Sequence, residues 1–258
     1  MRTEPGGWGR MGGVPVNNAD AWDRLSDRYQ EGARLPTSVA HYGPDIATEA
    51  DLRLLGDLRG KRVLELGCGG AQCSIAFAKA GATVIGVDHS DAQLAFARQL
   101  CEREEARVDL RLGDLAELAF LRADSVDLVF SAYAFGYVED LNRVFRQAHR
   151  VLKAGAPLVF SLQHPAYDLI DDDEAEPLLI RKGYFDRGPF DGTMAGVGVT
   201  TYHHTFSELF TGLVRASYRV DVVLEPEPLA GGPRSWWWRP AFEMVPRTLI
   251  IRARKEGS

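Results

Sequence analysis

Cysteine is scarce in this chain: Cys68, Cys73 and Cys101 are three among 258 residues. They form no C-x-x-C pair. So sparse and odd a set excludes a disulfide framework and suits a reducing cytoplasm. Long apolar runs are also missing. None approaches the ~18 residues of a membrane span, and the opening MRTEPGGWGRMGGVPV carries no apolar core of a signal peptide. Basic excess is missing too. Lys and Arg number 30 against 36 Asp and Glu, a net charge of −6. Coating nucleic acid or an anionic membrane normally takes a basic surface. The expectation is a cytoplasmic protein with neither partner, acting as a monomer or homodimer. No tandem repeat is visible.

What is present is ordinary globular chemistry. The chain is 45% hydrophobic and 26% charged, which excludes wholesale disorder. At ~150 residues per domain, the length allows one large α/β domain with insertions. That is enough chain to bury a core without disulfides or metal.

The middle of the chain alternates two patterns. Short apolar runs at 62–66 (RVLEL), 82–87, 126–131 and 157–162, with an alternating segment at 107–112, read as five strands. Between them lie helical stretches at about 71–80, one capped by Ser90, and one whose stripe runs from Val138 to Leu152. Such βαβ units imply a parallel sheet with helices on both faces. After the fifth strand, 163–203 shows no sustained periodicity. Thr205 then caps a helix, 218–224 is a sixth strand and 248–253 a seventh. An irregular stretch at 225–246 holds Trp236-Trp237-Trp238, a lid, a dimer contact or the packing of a long loop. Before the sheet, Ala19–Gln30 and Glu49–Leu58 read as helices. The organisation expected is a flexible tail at 1–18 and one domain at 19–258. Within it, 19–59 is a helical cap, 60–162 a binding core, 163–204 a lid insertion, and 205–258 a final helix and strands.

The informative residues lie in VLELGCGGAQ and at Asp88. Glu65, Gly67 and Gly69 fall where the first strand ends, and in an open parallel sheet ligands bind at that edge. Glycine there lets backbone pass close under a ligand. Asp88 ends the second strand roughly 20 positions on, where a carboxylate suits the two hydroxyls of a ribose. A dinucleotide fingerprint needs glycine at position 72, which is Gln72. Glu65 at the strand end repels pyrophosphate and suits a cationic amino group. The ligand implied has a ribose and a positive end, and lacks phosphate.

In these residues the chain resembles the class I S-adenosylmethionine (SAM)-dependent methyltransferases, strongly over 60–162 and weakly through the last two strands. Glu65, Gly67 and Gly69 match the family's first loop, with Ala71 where its third glycine stands. Asp88 matches its ribose acid. Asp114, followed by Leu115, matches its adenine-edge acid, and DLVFSAYAF its fourth-strand segment. The resemblance implies a Rossmann-like, mostly parallel seven-stranded sheet with SAM as cofactor. It implies SAM contacts from Tyr29, Tyr42, Glu65, Gly67, Cys68, Gly69, Asp88, His89, Gln93, Gly113, Asp114, Leu115, Ser131 and Ala132. Cys68 is expected to contribute its backbone amide. Trp22, Leu25 and Tyr29 share a helical face that covers SAM in similar segments of the family.

Methyl transfer from a sulfonium is an in-line displacement that chiefly needs alignment and exclusion of water. A base helps where the nucleophile carries a proton. Candidates are His164, His203, His204 and Tyr133, with Tyr137, Tyr184 and Tyr202 nearby in role. The run Asp171-Asp172-Asp173-Glu174 reads as a solvated loop rather than a Mg²⁺ site, and no metal is expected. An Asn/Asp-Pro-Pro-aromatic run, the mark of DNA amino-methyltransferases in this family, is replaced by Ser131-Ala132-Tyr133-Ala134. A small-molecule acceptor taking the methyl on O or N is therefore the leading reading. The alternatives are a nicotinamide-dependent oxidoreductase, disfavoured by Gln72 and Glu65, and a SAM-binding protein that transfers no methyl.

Overall fold

The computed structural model describes residues 17–171, 178–180, 182–231 and 234–257. The expected tail lies outside them up to position 16, as do Asp172, Asp173 and Glu174 of the acidic run. Two helical elements precede the sheet, α1 (Asn18–Ala33) and the single turn α2 (Glu49–Leu52). Next come β1 (Arg62–Leu66), α3 (Gln72–Lys79), β2 (Thr83–Asp88), α4 (Asp91–Arg103) and β3 (Val108–Leu112). β4 (Leu128–Ala132), α5 (Leu141–Val151) and β5 (Pro157–Gln163) complete the alternation. A hairpin of β6 (Phe190–Met194) and β7 (Val197–Thr201) follows, then α6 (Phe206–Arg215), β8 (Tyr218–Leu224) and β9 (Thr248–Lys255).

The seven-stranded sheet has the order β8-β9-β5-β4-β1-β2-β3. Strands β3, β2, β1, β4 and β5 pair in parallel, and β9 runs antiparallel to both β5 and β8. The apolar runs are continuous because both faces of the sheet are covered. Leu64, Leu66, Val129 and Phe160 pack on one side with α5 and α6. Their neighbours Val63, Phe130 and Val159 pack on the other with α3 and the loop before β1. Capping agrees with the sequence. Ser90 Oγ accepts the Gln93 N–H at 3.1 Å, and Thr205 with Glu208 forms a full capping box on α6.

Three expectations need correction. The helix expected over 49–58 stops at Leu52. Arg53 turns left-handed, with φ of 50°, and the Glu49 carboxylate takes the N–H groups of Leu54 and Leu55 at 3.0 and 2.8 Å. The stripe beginning at Val138 becomes helical only at Leu141, because Asp140 caps there by accepting the Arg143 N–H. The insertion after β5 is not irregular throughout, since it contains the β6–β7 hairpin, turned at Ala195-Gly196 with both φ positive. That hairpin docks on the N-terminal helix. Asn18 donates to the Thr200 carbonyl at 2.8 Å and accepts its N–H at 3.0 Å, while Ala21 and Leu25 pack on Val199. Among the described residues, no helix is long and apolar enough to cross a membrane.

Candidate active site

The carboxyl ends of β1, β2, β4 and β5 open into one cavity of about 720 Å³, within the range of small-molecule sites. The switch point lies here, because β1 is flanked by β2 on one side and β4 on the other.

Gly67 and Gly69 form the turn leaving β1, with φ of 73° and 49°. At Gly69 the cavity side is open, since an added Cβ would meet only Gln93 Oε1 at 3.7 Å. Gly67 is glycine for a different reason from the one expected. Its Cβ would stand 2.2 Å from the Cβ of Ala134, so the collision is with the protein itself. Asp88, 8% exposed, accepts the Gly69 N–H at 2.7 Å through Oδ2 and the Ser90 N–H at 3.0 Å through Oδ1. Burial raises its pKa against these two amides. His89, Gln93, Leu115 and Ala132 also line this end.

Helix α1 closes the cavity from one side. Asp23 Oδ1 accepts the Ser90 hydroxyl and the Ala92 N–H at the start of α4. Gln72 donates to Gln30 at 2.5 Å, and Gln30 donates to Gln93 at 2.7 Å. This buried chain of amides ends at Gln93 Nε2, which has no partner. Trp22 makes edge contacts with Tyr29 and Tyr137, and Tyr29 leans on Trp237. The three consecutive tryptophans all line the cavity, so they form its wall. Burial pushes the Tyr29 hydroxyl up to about 12 and raises that of Tyr133. Tyr133, itself left-handed with φ of 59°, shares a 2.6 Å hydrogen bond with Thr248.

Several expected residues are not brought to the cavity. Tyr42 is fully buried against Phe130 and gives its hydroxyl to Glu49. Glu65 lies beneath the turn, bonded by the Ser74 hydroxyl, and burial pushes its carboxyl up to about 8. The Cys68 amide is taken by the Val87 carbonyl, and its thiol, pushed up by burial, abuts Gly86. Ser131 ties β4 to β1 through the Leu66 carbonyl. Gly113 bonds back to the Asp88 carbonyl, and Asp114 is exposed in a turn that accepts the Ala116 N–H.

The histidines singled out from sequence also turn elsewhere. His164 Nε2 meets Glu225 at 2.8 Å, while its Nδ1 accepts the Ala166 N–H. His203 Nδ1 is 3.1 Å from Asp168, and His204 Nε2 donates to the Val138 carbonyl. Both flank a separate small pocket near α6. Two cavity residues escape sequence reasoning. His41 lines the wall with Nδ1 buried and unpartnered, and burial lowers its pKa to about 4. Arg247, beside Tyr133, is the other. Neither stands in a local motif; both come from loops that only the tertiary fold carries to the sheet edge. Among the described residues, no cluster of His, Cys, Asp or Glu is placed to hold a metal ion.

A buried carboxylate at the end of β2, an open glycine turn beside it and an unpartnered amide on the wall fit an adenosine-containing sulfonium ligand. Comparison with known proteins agrees. Residues 64–160 match the methyltransferase domain family. An uncharacterized methyltransferase, YbaJ of Bacillus subtilis, is 31% identical over 175 residues, 63% of this chain and 68% of that protein. The ubiquinone biosynthesis O-methyltransferase of Hahella chejuensis is 40% identical over 104 residues, 40% of this chain but 44% of that enzyme. The crystal structure of a SAM-dependent methyltransferase from Mesorhizobium loti superposes with a TM-score of 0.63 at 28% identity, over 79% of this chain and 94% of that one. The chain belongs to the class I SAM-dependent methyltransferases. It is an enzyme that uses SAM, and the nicotinamide reading falls.

Proposed function

We propose that this enzyme methylates a small molecule, with oxygen the favoured nucleophile. The observation that carries the reading is the cavity, which runs without interruption from Asp88 and Gly69 to an aromatic chamber walled by Tyr133, Tyr137 and the three tryptophans. The short stretch shared with ubiquinone O-methyltransferases supports oxygen. SAM, when bound, supplies a methyl group on a positively charged sulfur.

The chain's own residues do the rest. Asp88 takes the ribose hydroxyls on its remaining lone pairs, and Gln93 offers its unpartnered amide from the wall. Leu115 and Ala132 give apolar contact beside them. Trp22, Tyr29 and Trp237 exclude water from the reacting centre. Tyr133 stays protonated, because burial raises its pKa, so it orients the acceptor by hydrogen bonding and does not act as base. His41 stays neutral down to about pH 4, so it offers an acceptor hydroxyl a hydrogen-bond acceptor on the wall and does not take its proton. Three free, buried cysteines accord with a cytoplasmic setting.

Thermal shift with SAM, followed by S-adenosylhomocysteine (SAH) release across a panel of phenols and amines, tests the proposal. A phenol that drives SAH release supports it. Binding of SAM with no release from any acceptor class would favour a SAM-binding protein that transfers no methyl.

A further inference from the structure

We infer that Arg247 is the docking point for a carboxylate carried by the acceptor, so that the acceptor is an acid with a flat apolar body. The inference rests on the small-molecule reading above. Arg247 immediately precedes β9, whose first residue, Thr248, holds the Tyr133 hydroxyl. Its carbonyl accepts the His164 N–H at 2.7 Å, which fixes the backbone at this point. The guanidinium lies 4.4 Å from the centroid of the Phe242 ring, and 5.8 and 6.0 Å from those of Tyr133 and Tyr167.

Arg247 Nε and Nη1 are buried, and neither has a hydrogen-bond partner. A guanidinium does not deprotonate in proteins and keeps its donors at every working pH. Leaving charged donors buried and unmade is costly. Among the described residues no carboxylate forms an ion pair with it. The acids on the cavity wall are engaged elsewhere: Asp88 with Gly69 and Ser90, and Asp168 with Gln163 and His203. The other cations on the wall have partners too. Arg234 stacks on Trp238 and reaches Glu243, Arg239 donates to the Trp238 carbonyl, and Lys182 lies over Phe190. One guanidinium with unmade donors thus lines a chamber of aromatic walls. A carboxylate is the charged acceptor that answers such donors most strongly, and the rings of Tyr137 and Trp237 suit a flat body.

Calorimetric titration with 2-naphthoate and its uncharged partner 2-naphthamide tests this, with and without SAH. The wild-type protein is expected to bind the acid at least about tenfold more tightly than the amide. Arg247→Met erases the difference, Arg247→Lys keeps part of it, and neither variant changes SAH affinity. The lysine variant retains the charge and serves should the methionine variant fold poorly. No preference for the acid in the wild type, or a preference that survives Arg247→Met, overturns the inference. Loss of SAH affinity in Arg247→Met also overturns it, by assigning the guanidinium to the carboxylate of the cofactor. A wild-type protein that binds no SAH would sink the functional reading instead, and the acid–amide comparison on the free protein would still decide the role of Arg247.

Discussion

Asp88 Oδ2 accepts the amide N–H of Gly69 at 2.7 Å, so the acid that ends β2 also holds the turn that ends β1. Backbone amides take only part of the accepting capacity of this carboxylate, and the rest is open to a ligand. Replacing Asp88 with alanine frees the Gly69 turn and, on the proposed role of this acid, removes the ribose contacts with it. Charge-assisted hydrogen bonds contribute ~1.5–3 kcal/mol each, so SAM affinity should fall at least about tenfold. Calorimetry on the folded variant reads this directly, and unchanged affinity would remove Asp88 from the site.

Gly67 faces Ala134 across the same turn. A side chain at Gly67 meets a Cβ at 2.2 Å and must also adopt φ of 73°. Gly67→Ala is therefore expected to lower stability by about 1–3 kcal/mol, the usual cost of overpacking, whether or not SAM is present. Gly67→Ala combined with Ala134→Gly should recover part of that loss, because only the clash is relieved and the strained φ remains. A double-mutant cycle by urea unfolding measures the coupling. Independent, additive effects would show that the two residues do not meet.

Most of the parallel strands are legible in the chain because they place apolar residues side by side, Val63-Leu64, Val84-Ile85 and Leu158-Val159-Phe160, as burial on both faces requires. The β6–β7 hairpin is not legible. Phe190-Asp191-Gly192-Thr193-Met194 has a glycine at its centre, and its packing partner, α1, lies far away in the chain. The short α2 hides for a related reason. Leu54, Leu55 and Leu58 keep helical spacing and are buried, but Glu49 captures their segment's amides in a turn. In the site, Gly67, Gly69 and Asp88 can be read because strand ends place them. His164 shows the limit of such reading. Its place after β5 is fixed by the sheet, but the direction of its ring is set by Glu225, from another loop.

The amide chain from Gln72 through Gln30 to Gln93 joins α3, α1 and α4. Gln30→Ala leaves the Gln72 amide N–H and the Gln93 side-chain carbonyl buried without these partners. Unsatisfied buried groups cost ~1–3 kcal/mol each, so a loss of about 2 kcal/mol in stability is expected. Gln93 also loses its fixed orientation at the cavity, so SAM affinity should drop severalfold. Faster amide hydrogen exchange along α1 should accompany it. Stability equal to wild type would mean that α1 is held by its other contacts, those of Asp23, Asn18, the Val199 packing and the aromatic rings.

Glu65 predicts a pH dependence of stability whose sign follows from its burial. Desolvation raises its carboxyl from 4.5 to about 8, against the opposing hydrogen bond from Ser74 and with a smaller push from Asp88. The folded pKa thus exceeds the unfolded one. Between these two values the native state holds a proton that the unfolded chain has released, so stability falls as pH rises. The contribution is whole below about pH 4.5 and is lost as pH climbs through about 8. Glu65→Gln is neutral at every pH and lacks this dependence, while all other titrating groups are common to both proteins. The stability of the wild type relative to Glu65→Gln should therefore decline from pH 5 to pH 8 and level off above it. Urea unfolding of both proteins at pH 5, 6.5, 8 and 9 gives the difference. A difference that stays flat over that range, or that grows with pH, would mean that Glu65 is ionised in the folded protein.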